Sequence, residues 1–227
     1  LQKAEAIPNA YFAKELIFSI AFFENQFKLN TNKMKHKLLI ENLRKYGNIS
    51  EKEEATIREV FLCVNTKKRD ILISKDSLCN KLFYVNEGLL RTYYLDTAGN
   101  EFTRRIAWEN GFITNMDSFR KNGIENNETI ECIENAEILE ISKTNLDYLL
   151  STSENLLKIY QIILEKYMAF NIRRYQHITL STPHERLNHF NENFPTLKNR
   201  INDTILATFL SLSRKTLVRT RKNLIKN

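Results

Sequence analysis

Eight cations crowd the end of this chain. Lys198, Arg200, Arg214, Lys215, Arg219, Arg221, Lys222 and Lys226 follow one another there, opposed only by Asp203. Cations in such excess suit one kind of chemistry, the binding of a polyanion such as a nucleic-acid backbone. The net charge of the whole chain, +7 at pH 7, points the same way. Residues for other chemistry are sparse. His36, His177, His184 and His189 form no HxH or HExxH pair, and Cys63, Cys79 and Cys132 form no CxxC. No metal site, catalytic residue or cofactor is therefore expected. A cupin-like β-barrel enzyme would need ligands on facing strands, yet residues 60–141 contain no histidine. Three scattered cysteines also argue against a disulfide framework and for a reducing cytoplasm.

Positioning the cations falls to two short apolar-periodic runs joined by Ser211-Leu212-Ser213. Ile205, Leu206, Phe209 and Leu210 supply an apolar face to the first. Leu217, Thr220 and Leu224 step by three and four along the second, leaving Arg214, Lys215, Arg219 and Lys222 on its other side. Ser213 stands where an N-cap belongs, and Ala207 is small enough for a close crossing. The pattern is that of a helix-turn-helix, whose second helix enters the major groove. Ser211 occupies the turn position usually filled by glycine, at a cost of roughly 1 kcal/mol if the backbone is left-handed there.

With 227 residues, 42% hydrophobic and 27% charged, the chain has the makings of one large globular domain or two smaller ones. Leu16 to Phe23 is apolar except for Ser19, but a bilayer span needs about 20 residues, so no membrane partner is expected. Residues 1–33 are expected to be an appended helix, or an extension upstream of a start at Met34. Lys37 to Tyr46 reads as a helix stopped at Gly47, and Ser50 with Glu53 as a capping box. About eight strands follow between Val60 and Ile141, spaced by polar turns in the manner of a sandwich or barrel.

Ser142 reads as the cap of a short helix, and a long one is expected over about Glu154 to Ile178. Along it, Leu157, Tyr160, Leu164, Tyr167 and Asn171 step by three and four, while Ile163, Met168 and Phe170 widen the stripe. A helix apolar on more than one side must pack on two things. The expectation is its own β-domain on one side and the same helix of a second subunit on the other, in a homodimer. Thr182-Pro183-His184-Glu185 then opens another helix, which ends before Pro195.

This order of parts resembles the Crp/Fnr family of bacterial transcription regulators from about Met34 to Asn227. The likeness is carried by LFYVNEGLLR (82–91), LEIS (139–142) and SRKTLVR (213–219). It implies an α+β fold: an N-terminal cyclic-nucleotide-binding-like β-roll (a double-stranded β-helix, or jelly roll), a long dimerisation helix and a C-terminal helix-turn-helix. The corresponding divisions are residues 34–150, 151–180 and 181–227. By this resemblance Arg214, Lys215 and Arg219 read bases, and Thr204, Ser213, Thr216, Arg221 and Lys222 contact phosphates. Lys215 stands where cyclic-AMP-binding members often carry Glu, and a lysine donates to guanine O6 or N7 instead of accepting from cytosine.

The resemblance also places Thr114-Asn115-Met116 and Asn126-Asn127-Glu128 at the family's ribose and cyclic-phosphate contacts. Asn115 and Asn126 bring no charge there, so cyclic AMP is not expected to bind through those contacts. The implied function is sequence-specific binding of double-stranded DNA, with RNA polymerase as a further partner and an effector of unknown chemistry. The alternative is a small-molecule-sensing β-roll that acts through protein contacts, its DNA binding lost because Ser211 distorts the turn.

Overall fold

The structure, a computed structural model, describes residues 34–121 and 126–224. The expectations for residues 1–33, and Lys226, lie outside them. A helix over residues 34–44 (α1) gives way to a turn before Ser50. There the Ser50 hydroxyl accepts from the Glu53 amide, and the Glu53 carboxylate accepts from the Ser50 amide at 2.8 Å, which starts α2 (Glu51–Val60).

Eight strands then build two four-stranded sheets. In chain order they are β1 (Leu62–Thr66), β2 (Ile71–Ile73), β3 (Lys81–Glu87), β4 (Leu90–Leu95), β5 (Glu101–Ala107), β6 (Phe112–Ile113), β7 (Thr129–Cys132) and β8 (Ala136–Ser142). One sheet runs β1-β8-β3-β6 and the other β2-β7-β4-β5, with antiparallel pairing throughout. Strands next to each other in sequence mostly sit in different sheets or at different edges, so the chain is rolled rather than pleated back and forth. In β3 the run Leu82 to Asn86 is buried without alternation, as befits a strand covered on both faces. A five-residue helix, α3 (Met116–Arg120), follows β6.

Gly88 makes the turn from β3 to β4 possible. Its φ of +102° is open to glycine, and a Cβ there would lie 2.6 Å from both the Ala136 Cβ and the Asn135 carbonyl oxygen.

Ser142 caps α4 (Lys143–Thr152) and Ser153 caps α5 (Glu154–Leu180), a helix of 27 residues. A Thr182–Glu185 capping box with Pro183 in the first turn starts α6 (Pro183–Asn193). The chain closes with α7 (Asp203–Phe209) and α8 (Arg214–Leu224). No described helix is long and apolar enough to cross a membrane.

Two apolar clusters hold these elements. The first lies in the roll and takes in Leu156 and Ile159 of α5, with Tyr160 and Ile163 packed against it. The second joins Leu89, Ile106 and Ile133 of the roll to Leu187, Phe190, Leu206, Leu210 and Leu217 of the C-terminal helices. Beside that junction Arg200 bridges Glu109 at 2.9 Å and Glu134 at 2.7 Å. Hydrogen bonds donated to both carboxylates raise the Arg200 pKa further above its ordinary value. Asp203 is therefore not the sole partner of the C-terminal cations, because carboxylates distant in sequence reach Arg200.

Gly88→Ala should cost about 3 kcal/mol of unfolding free energy, from backbone strain and the clash at Ala136. Urea denaturation measures it, with Gly99→Ala as the comparison at an equally positive φ in open space.

Candidate nucleic-acid interface

The helix-turn-helix is set by local chemistry. The Asn202 side chain accepts from the Ile205 amide at 2.9 Å and opens α7. Ser211 adopts a φ of +54°, so the left-handed turn is kept in spite of its side chain. The Leu212 amide then reaches back to the Ala207 carbonyl at 2.8 Å. The Ser213 hydroxyl accepts from the Thr216 amide at 3.0 Å, starting α8. Leu217, at 0% exposure, and buried Thr220 turn inward.

With that side fixed, Arg214, Lys215, Arg219 and Lys222 are exposed, and none makes an ion pair among the described residues. Thr204 and Ser213 are exposed on the same unit. Thr216 is half-buried, its hydroxyl 2.8 Å from that of Ser213. Arg221, expected to contact phosphate, already has a partner within the chain. It donates to Asp203 at 2.7 Å and ties α8 to α7. A partner eighteen positions away has captured it, something helical periodicity does not register.

Above this unit the long helix divides its apolar residues unevenly. Leu157 is exposed, Leu164 and Asn171 are half-buried, and the Asn171 amide bonds the Tyr167 carbonyl. Tyr160 and Tyr167, read from the sequence as part of the dimer stripe, instead face the chain's own roll. Tyr160 packs on the first core, while the Tyr167 hydroxyl accepts from Arg104 at 3.0 Å and its ring lies under Arg105. Burial works to raise the Tyr167 phenol pKa, but the neighbouring charge of Arg104 draws it below its ordinary value. Two arginines on β5 thus hold this tyrosine, Arg104 at its hydroxyl and Arg105 over its ring. The apolar residues of α5 left in solvent are Leu157, Met168 (62% exposed), Ile172 (56%), Tyr175 (69%) and, at its end, Leu180.

Of the positions aligned with the cyclic-nucleotide contacts, Thr114 and Met116 line a cavity beneath α5, whereas Asn115 and Asn126 are closed by bonds of their own. The Asn115 amide donates to the Asn126 side-chain oxygen at 2.8 Å, and Asn126 donates to the carbonyls of Ser74 and Glu128. Asn126 is wholly buried. Thr114 donates to the Lys81 carbonyl, Asn127 is exposed, and Met116 is half-buried. Of the nearest cations, Arg120 is exposed and Lys121 pairs with Asp117. Both amides are already committed, so a phosphate or ribose hydroxyl would have to break buried bonds to reach them. Among the described residues no group of His, Cys, Asp or Glu could hold a metal ion.

Compared by sequence, the chain matches no family model and no curated protein. Compared by structure, it is similar to FixK2 from Bradyrhizobium japonicum, at 13% identity and a TM-score of 0.63, over 74% of this chain and 85% of that one. It is also similar to CLP of Xanthomonas campestris, described as a c-di-GMP responsive global regulator. That match has 16% identity and a TM-score of 0.64, over 78% and 92% of the two chains. A third structure, from Eubacterium rectale and assigned to the crp/fnr family of transcriptional regulators, matches at 17% identity with a TM-score of 0.61, over 78% and 85%. The fold is that of the Crp/Fnr regulators: α+β, a β-roll followed by a long helix and a C-terminal helical unit.

Ser211→Gly should raise stability by about 1 kcal/mol by removing the left-handed strain without touching an outward side chain. A thermal melt that moves up by a few degrees is the expected result.

Proposed function

We propose that this chain is a homodimeric, sequence-specific DNA-binding transcription regulator of the Crp/Fnr type. The observation that carries this reading is the exposed, unpaired cationic face of α8, held outward by Leu217 and presented by a correctly formed turn. In this reading Arg214, Lys215 and Arg219 meet base edges, while Thr204, Ser213, Thr216 and Lys222 meet phosphates. Arg221 acts one step removed, by fixing α8 on α7.

Residues 34–150 serve as the sensor-like roll, 151–180 as the dimer helix and 181–227 as the DNA-binding unit. Support for the dimer is the solvent-facing stripe of Leu157, Met168, Ile172 and Tyr175 on α5, spaced to fall on one side of the helix. A two-fold pair would set the recognition helices about 34 Å apart, in successive major grooves. RNA polymerase is the further partner of a regulator of this kind, and three free cysteines suit the cytoplasm. Cyclic AMP would not bind through Asn115 and Asn126, whose amides hold each other. The alternative, a sensor that has lost DNA binding, needs Ser211 to distort the turn. The 2.8 Å bond from Leu212 to Ala207 favours the DNA-binding reading.

Gel shifts on selected and on random duplexes, each over a salt series, test the assignment. Arg219→Ala should lose affinity for the selected site by about tenfold or more and relax the preference at one base position. Lys222→Ala should weaken both duplexes alike and flatten the salt slope by about one. Equal losses on both duplexes for Arg219→Ala would remove Arg219 from the base-reading set.

A further inference from the structure

A cavity of about 270 Å³ lies under α5, lined in part by Thr114 and Met116 but by neither Asn115 nor Asn126. Its wall is hydrocarbon: Leu43 from α1, Leu82 and Phe112 from the roll, Leu149 from α4, and Ile163 and Phe170 from α5. Such a space between elements is what small apolar molecules occupy, provided that a few polar groups orient them.

Two cationic side chains reach this wall, Lys166 of α5, whose ammonium lies 5.2 Å from the centre of the Tyr46 ring, and Arg105 of β5. Arg105 donates one bond to the Phe112 carbonyl at 2.7 Å, and its guanidinium sits 4.5 Å from the centre of the Tyr167 ring. Its Nε is buried without a partner, and no carboxylate pairs with it among the described residues. The surroundings add to the imbalance. Glu128, the carboxylate of this seam, is taken by Arg104. Arg174, close enough to feel the charge of Arg104, bonds only to the carbonyls of Thr103 and Phe209. Burial pushes the Arg105 pKa down and the charge of Arg104 adds to that, against a partial offset from the Tyr167 phenol. A half-buried guanidinium short of a counter-ion, at the edge of an apolar cavity, is the complement of a carboxylate carried on a hydrocarbon or aryl body.

We propose that the cavity beneath α5 binds an apolar monocarboxylate, its body among Leu43, Leu82, Leu149 and Ile163 and its carboxylate on Arg105. A guanidinium accepts such a group through two parallel hydrogen bonds, and the free Nε is one of the donors available for them. This site does not depend on DNA binding, and it shares Thr114 and Met116, but neither asparagine, with the positions aligned to the cyclic-nucleotide contacts.

Calorimetric titration of the full chain, without DNA, with octanoate and with octan-1-ol tests it. Octanoate should saturate at one molecule per chain and bind at least about tenfold more tightly than the alcohol, which lacks the charge-assisted bonds. Arg105→Leu should erase that difference. Ile163→Trp, which fills the cavity and leaves the cation in place, should abolish uptake of both while the thermal melt stays cooperative. Equal affinity of the wild-type chain for the two probes overturns the proposal. So does octanoate uptake that survives Ile163→Trp. Failure of both probes to bind overturns it as well, and is the result expected if a second copy of the chain fills the space.

Discussion

A helix as basic as α8 can hold its charges toward solvent only if its other side is fixed by something apolar. Leu217 meets that condition, wholly buried among Leu187, Phe190, Leu206 and Leu210. Three short helices bury too little surface to be secure alone. The cluster around Leu217 therefore extends into the roll through Leu89, Ile106 and Ile133. Polar contacts fasten the same seam. Arg200 reaches Glu109 and Glu134, and Thr103 meets Thr208 at 2.8 Å. Arg174 places its charge on the Phe209 carbonyl at the end of α7, where the helix dipole favours a cation. The orientation of the cationic face is thus a property of the whole chain rather than of its last residues.

Much of this was legible in the sequence, because much of it is local. The caps at Ser50, Ser142, Thr182 and Ser213 are decided within three or four residues, and each is found where its pattern stands. The eight strands follow from β-branched and aromatic runs between polar turns. Even the left-handed Ser211 follows from its place in the turn. What escaped depends on residues far apart. Arg200 and Glu109 are separated by 91 positions, so the acidic partners of that cation leave no local trace. Tyr160 and Tyr167 share the period of the solvent-facing stripe closely enough to pass for it. Only the position of Arg104 and Arg105 on β5 shows which way Tyr167 faces. Helix α3, at five residues, is too short for any period to show.

The roll contains two electrostatic environments of opposite kind. The side-chain amides of Asn115 and Asn126 are bonded to each other and to backbone groups, which makes that corner a structural joint. Nearby, Arg104 of β5 takes the carboxylate of Glu128, while Arg105 of β5 and Arg174 of α5 pair with no carboxylate among the described residues. A fold that only needed stability would gain by replacing surplus buried cations with apolar side chains. Keeping them beside a hydrocarbon cavity places a demand for an anion on the wall formed by α5. The same helix runs on to the cap of α6 and hence to the C-terminal helices.

The central claim is that paired copies of α8 grip one duplex. Sedimentation of the full chain with a palindromic duplex selected from a random pool tests it most directly, because mass reports stoichiometry without assumptions about contacts. Two chains per duplex are expected at low salt, dissociating together as salt is raised. A complex of one chain per duplex, or none in dilute buffer, would contradict it.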